Sequence, residues 1–410
     1  MTATVNGLVR DHAGVARRLL ADADRQGLAQ NQAIDDGSGR RWLPQSLSRG
    51  AAGIALAHLV HADLGAADRW LGTAVAGGLT VGDGSGLWTG APAVAFAAAC
   101  QPGRYRTALA RLDTAIGDLV TTRLDAAAAR IAARQRPPRA EYDLVHGLTG
   151  LGSYLLTRTP DGQQLRNVLA YLVRLTEPVA ADDGAGTRLP GWWTGDAPSI
   201  SSPIRGHGNL GMAHGITGPL ALLALAARRN ITVAGQAEAI DRILHWLGTW
   251  QQTSPAGPWW PRHLSLDDVH TGQPTQPGPA RPSWCYGTPG ISRALQLAAI
   301  ARGDRARQHA AEQALARCVT DPAQLAELVD PFLCHGWAGV TATVHQAAAD
   351  ALTADLAAAL PGLTGALLHH SKSDADQPPG LITGTAGIAV TLHTVAAGST
   401  SPWPACLLIN

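Results

Sequence analysis

Cys334 and His335 stand side by side in Cys334-His335-Gly336-Trp337-Ala338-Gly339, at the start of an apolar run. Cys285 holds the matching place in Trp284-Cys285-Tyr286-Gly287-Thr288-Pro289-Gly290, two residues before the first glycine of its own Gly-x-x-Gly. If the two turns are neighbours in space, two thiols and an imidazole meet. A Cys, Cys, His set leaves one tetrahedral zinc position open, the pattern of a catalytic rather than a structural site. Two thiolates and a neutral imidazole cancel the charge of Zn²⁺, so a further thiol can bind as thiolate and still attack an electrophile. The expectation is one zinc per chain, held by Cys285, Cys334 and His335, at a site that activates a sulfur nucleophile.

Thiol addition also needs a group that moves protons. His214, in Asn209-Leu210-Gly211-Met212-Ala213-His214-Gly215, has the register in its turn that His335 has in its own, and is the candidate acid/base. Asp143, four residues before Gly147, is placed to orient His214 and stabilise its cation. Arg281, four residues before Cys285, is a candidate to hold an enolate oxygen or a peptide carbonyl, with an ordinary loop ion pair as the alternative. Tyr286 is a candidate to support zinc or substrate through a hydrogen bond. His146 and His207 lie close in sequence to these residues, but spacing identifies no partner for them and structural roles are expected. Asp267-Asp268 reads as solvated loop, and Cys100, Cys318 and Cys406 as packing thiols outside the register. No phosphate loop, dinucleotide fingerprint, Gly-x-Ser-x-Gly or basic nucleic-acid patch occurs.

The elements that must position these groups follow from an internal repeat. Gly-x-x-Gly followed by an apolar residue starts at Gly50, Gly147, Gly215, Gly287, Gly336 and Gly384, and in weakened form at Gly90, where Ala93 replaces the second glycine. Most copies lead into a short run that is almost wholly apolar, such as Ile54 to Val60 or Leu220 to Ala227, which reads as a helix buried on nearly every side. Amphipathic stretches lie between them; in one, Ala237, Ile240, Leu244 and Leu247 oppose Glu238, Asp241 and Arg242. Seven helical hairpins of this kind stack as an open solenoid or close into a ring. The last copy is as apolar as the middle ones and offers no polar cap, which favours closure. The predicted fold is an all-α, α,α-toroid (barrel) of seven hairpins with inner and outer helix rings, its glycine turns converging at one end. Long polar segments at about 178–209 and 253–283 are expected to cover that end. Trp88, Trp192, Trp193, Trp259, Trp260, Trp284 and Trp337 sit in or next to loops, where they pack loops or form a peptide-binding wall.

At 410 residues, with 46% apolar and 15% charged, the chain can build a large core, and the repeats argue for one domain over 1–410. A net charge of +1 gives no reason to expect nucleic acid or an anionic membrane. Five cysteines make no disulfide framework, and the charged N-terminus lacks a signal peptide's apolar core, so a soluble cytoplasmic protein is expected.

These motifs together resemble the lanthionine synthetase C-like family, specifically the stand-alone cyclases of class I lanthipeptide biosynthesis. The residues that carry the resemblance are Tyr142-Asp143 with Gly147, Asn209 to Gly215, Trp284-Cys285-Tyr286-Gly287 and Cys334-His335-Gly336. The resemblance implies an α,α-barrel, zinc on Cys285, Cys334 and His335, and addition of a precursor-peptide cysteine to dehydroalanine or dehydrobutyrine, giving (methyl)lanthionine rings. It implies His214 as acid/base with Asp143 and Arg281 beside it, a dehydrated precursor peptide as substrate and a separate dehydratase as partner. Two rivals stay open: a related enzyme adding glutathione or another free thiol, and a zinc-stabilised scaffold presenting peptide to a dehydratase. A toroidal zinc enzyme of the prenyltransferase kind is a more distant third.

Overall fold

The protein's structure, a computed structural model, describes residues 2–35, 42–181, 183–198, 202, 206–371, 377–398 and 400–410. Parts of the segment expected to form a loop at 178–209, namely 182, 199–201 and 203–205, lie outside the described residues.

In chain order the first helices are α1 (Thr2–Asp35), α2 (Ala51–Val60), α3 (Leu64–Val75), α4 (Ala91–Ala99) and α5 (Arg106–Ala132). The short α6 (Arg139–Tyr142) leads to α7 (Leu148–Arg158), α8 (Gln163–Leu175), α9 (Thr217–Arg228) and α10 (Gln236–Thr249). After α11 (Leu266–Thr271) come α12 (Thr288–Arg302), α13 (Arg305–Thr320), α14 (Pro322–Ala326), α15 (Trp337–Asp350), α16 (Asp355–His370) and α17 (Thr385–Ala397). Every residue of α2 and of α4 is buried, as a helix apolar all round requires. By contrast α8 buries Leu165, Val168, Leu169, Leu172 and Leu175, at helical spacing, and turns its other face to water.

The inner ring is α2, α4, α7, α9, α12, α15 and α17. Each packs on the next, and α17 packs back on α2. The predicted α,α-toroid is therefore closed. Six outer helices, α3, α5, α8, α10, α13 and α16, follow their inner partners directly in sequence. The seventh comes from the other end of the chain: α1 lies along α17, burying Ala16, Leu19, Leu20 and Ala23. Among the described residues no helix is long and apolar enough to cross a membrane.

The glycine turns owe their composition to contact rather than to backbone angle. At the second glycine, an added Cβ would stand 2.0 Å from the carbonyl oxygen of the residue six earlier in both the Trp284–Gly290 and the Leu333–Gly339 turns. First glycines such as Gly287 and Gly336 have extended φ values that any residue adopts; Gly90, at φ 78°, is the exception. The turns are also joined to one another by backbone hydrogen bonds. Leu144 N donates to Ala213 O, Met212 N to Cys285 O, Cys285 N to Cys334 O and Cys334 N to Ile382 O. Leu381 N to Leu47 O and Leu47 N to Trp88 O continue the belt across the closure. Between the second and third turns a side chain supplies the link, since Arg123 donates to His146 O on one side and to Asp83 O and Ser85 O on the other.

The chain's C-terminus fills the bore. A 3₁₀ turn at Trp403–Leu407 and the residues after it are held by donors from separate inner helices. Ser153 of α7 donates to Ala405 O at 2.6 Å and Arg293 of α12 to Ile409 O at 2.9 Å, while Trp403 donates to Thr394 of α17. Among the described residues three two-stranded ribbons lie in the long loops; in one, Gly208–Asn209 pairs with His263–Leu264 and so ties the two loops together. The seven loop tryptophans are all buried, at 6% exposure or less, so they pack loops and form no open wall. Asp268 is likewise buried, closing a capping box with Ser265 at the start of α11, rather than lying in solvated loop as expected.

Candidate active site

Because Cys285 N bonds to Cys334 O, the fifth and sixth turns are immediate neighbours. Cys285, Cys334 and His335 accordingly meet, their ligand atoms all within 4.8 Å of one another. The Cys334 thiol holds that of Cys285, beside it, well below its ordinary range despite burial, with the His335 ring and Ser283 adding to the effect. Cys334 is driven up by the same contact.

A second cluster forms where the third turn meets the fourth. His214 Nδ1–H donates to Asp143 Oδ2 at 2.6 Å, and His146 reaches the same oxygen at 3.3 Å. The other oxygen accepts from the backbone of His146 at 2.6 Å and of Gly147 at 3.0 Å. Burial by itself would raise the Asp143 carboxyl, but the bonds from His146 and His214 hold it well below the usual carboxylate range. The two imidazoles stack, with centroids 5.7 Å apart, and His214 is flanked on its other side by Tyr286 at 6.3 Å. Tyr286 accepts from Asn209 Nδ2 at 3.2 Å, and burial pushes its phenol up. Through Tyr286, the neighbour of Cys285, the two clusters are parts of one basin at the turn end of the ring.

The structure thus brings together all seven residues singled out in the sequence. Arg281 makes the loop ion pair held as its alternative: its Nη1 is 3.5 Å from Asp330 Oδ2. Asp330, which sequence reasoning missed, also lies 3.4 Å from His335 Nε2. It stands six residues before Gly336 and four before Cys334, the place that Arg281 holds before Gly287 and Cys285 and Asn209 before Gly215, so the register of the repeats was the signal that could have found it. His146 joins the site through Asp143; His207 is buried and bonded to Asp196 O, a structural role. Cys100, Cys318 and Cys406 are buried away from the site, and burial pushes the Cys100 and Cys318 thiols up to about 12.

Fold and site together define a closed helical toroid carrying an open thiol and imidazole centre beside a His–Asp pair. The chain belongs to the family described as lanthionine synthetase C-like protein, whose profile matches residues 41–408. Among solved structures it is similar to nisin cyclase, with a TM-score of 0.79 at 20% identity, covering 94% of this chain and 97% of that one; at that identity the likeness is one of fold. A search of curated proteins returned no match.

Proposed function

We propose that the protein is a zinc-dependent lanthipeptide cyclase, which joins a cysteine of a dehydrated precursor peptide to a dehydroalanine or dehydrobutyrine of the same peptide. The observation that carries this reading is that the Cys285, Cys334, His335 set and the Asp143–His214 pair lie on adjoining turns, with Tyr286, next to Cys285, 6.3 Å from the His214 ring. Two soft sulfurs and one imidazole nitrogen fit zinc with a position to spare, and Cys285, Cys334 and His335 would hold it. Bound there, zinc offers the substrate thiol a place to ionise near neutral pH. A free cysteine with pKa ~8.5 is ~3% thiolate at pH 7, so full ionisation is worth ~30-fold, about 2 kcal/mol. Holding thiol and alkene together contributes more, through effective concentration.

The chain's own residues handle the protons. With Nδ1–H of His214 given to Asp143, Nε2 is the nitrogen that exchanges protons with substrate. The thiol proton leaves to this nitrogen, the C–S bond forms at the alkene β-carbon, and the π pair moves onto the α-carbon and carbonyl as an enolate. Nε2–H then protonates the α-carbon, so protons balance over the cycle. Arg281, about a third exposed, keeps donors for the enolate oxygen while its Nη1 faces Asp330. Dehydration of the peptide falls to a separate enzyme.

The test uses a short peptide carrying one dehydroalanine and one cysteine, with free thiol counted by alkylation and mass spectrometry. Wild type should consume the thiol with no added mass, and glutathione in the mixture should leave no adduct. A folded, zinc-containing His214→Ala variant should be slower by ~10²- to 10⁴-fold. A variant as fast as wild type would remove His214 from the chemistry and favour the scaffold reading.

A further inference from the structure

We infer that Asp330 is the positioning residue of the metal centre, fixing the His335 ring for metal binding and tethering Arg281 to its edge. This rests on the zinc reading above. Oδ2 of Asp330 lies 3.4 Å from His335 Nε2 and 3.5 Å from Arg281 Nη1, so one oxygen faces two donors. Oδ1 is occupied separately, accepting from the Phe332 backbone at 3.0 Å. The residue's own carbonyl accepts from Trp337 N at 3.1 Å, which locks Asp330 to the first residue of α15.

The turn is built around this carboxylate. A Cβ on Gly336 would fall 2.3 Å from Asp330 Oδ1 and 2.1 Å from Asp330 O, so the glycine between His335 and Trp337 is what admits it. With Nε2 turned to Asp330, Nδ1 is the nitrogen left for the metal. A carboxylate on the far nitrogen fixes the tautomer and ring plane and makes the ligand nitrogen more basic. Arg281 shares the oxygen, so the group that faces the enolate and the group that binds metal are held by one side chain. Asp143 stands in the corresponding relation to His214, its second oxygen also tied to the backbone of its own turn. The basin therefore has two imidazoles, each oriented by a carboxylate anchored in a glycine turn.

Asp330→Asn separates the orienting role from the turn. An asparagine oxygen still accepts from Phe332 N, but an NH₂ group then faces two donors. Zinc affinity is measured by competition with a chromophoric chelator, and folding by thermal melting of the metal-free proteins. The expected result is a 10- to 100-fold loss of zinc affinity in Asp330→Asn, an unchanged metal-free melting temperature, and recovery of most of the affinity in Asp330→Glu. Arg281→Gln should bind zinc within about threefold of wild type, because it leaves the carboxylate on His335. Equal affinity in Asp330→Asn and wild type overturns the inference, and so does an equal loss in Arg281→Gln. Failure of Asp330→Glu to recover affinity would assign the effect to the turn and also overturn it. Wild type that binds no zinc takes down the functional reading and this inference together, whereas the other outcomes leave the former standing.

Discussion

Asparagine at position 143 puts the His–Asp pair under the sharpest strain. Asp143 is fully buried, and its oxygens take bonds from two backbone amides and two imidazoles. In Asp143→Asn the amide oxygen can keep the His146 and Gly147 N–H groups, so the turn survives. The NH₂ then points at His214 Nδ1, which must become an acceptor, and the ring's proton moves to Nε2. His214 is left in the tautomer that cannot take the thiol proton, and its cation loses its counter-charge. One charge-assisted bond is worth about 1.5–3 kcal/mol, or ~10- to 150-fold, and the wrong tautomer adds to it; a fall in kcat of ~10²- to 10⁴-fold is expected. The assay is single-turnover thiol consumption with zinc content matched to wild type. There is an independent signature in acid. Because the folded carboxyl is held below its unfolded value of about 3.9, it stabilises the protein fully above that pH and loses this contribution as pH falls towards the folded value. Melting temperature in metal-free wild type should therefore drop more steeply below about pH 4 than in the variant. Activity within threefold of wild type, in a folded protein with zinc, would refute the role assigned to the pair.

Three further outcomes are expected. Gly290→Ala forces a methyl to within 2.0 Å of Trp284 O, next to Cys285, and should cost more than about 2 kcal/mol in denaturant titration. Gly117→Ala, in α5 with nothing within 4 Å, should stabilise by about 0.5–1 kcal/mol in the same titration. Burial, and secondarily His207, pushes His263 down to about 3. The unfolded chain then takes up its proton near pH 6.5 while the folded one does not, so stability falls as pH drops below 6.5. Metal-free His263→Phe should lose less melting temperature than wild type between pH 7 and 4.5, and parallel pH profiles would contradict the assignment.

The inner ring and the metal set were readable because each rests on a local rule repeated along the chain. A helix without a polar stripe has to be covered on all sides, and residues at one register in adjacent turns have to be neighbours. That reasoning placed Cys285 beside Cys334 and His335, and His214 against Asp143. What escaped it depends on pairings that no period encodes. Asp330 shares the register of Arg281 and Asn209, yet the register does not say that its carboxylate turns to His335, in the room left by Gly336. The pairing of Asn209 with His263, which carries Tyr286's partner into the site, joins two loops of unrelated sequence. The place of the C-terminal residues in the bore is fixed by Ser153 and Arg293, whose hydroxyl and guanidinium on buried helices give no sign in the sequence of what they bind. For the tryptophans the sequence left loop packing and a peptide-binding wall both open, since an aromatic in a loop says nothing about which way it faces.

The pairing of α1 with α17 has a consequence for how the protein is born. α1 meets α2 and α3 soon after it is made, through Asp24 bonded to His58 and Trp70, but its face towards α17 must wait for residues 385–397. At roughly 5–20 residues per second that is a delay of about 20–70 s. During it the apolar face of α1 around Leu19 and Leu20 stays unpartnered, and the growing arc of hairpins has an open inner face at each end. Two such arcs are complementary to one another, which makes exchange between nascent chains the natural hazard of this architecture. Closure therefore comes late, and α17, packed on α15, α2 and α1, seals both ends at once.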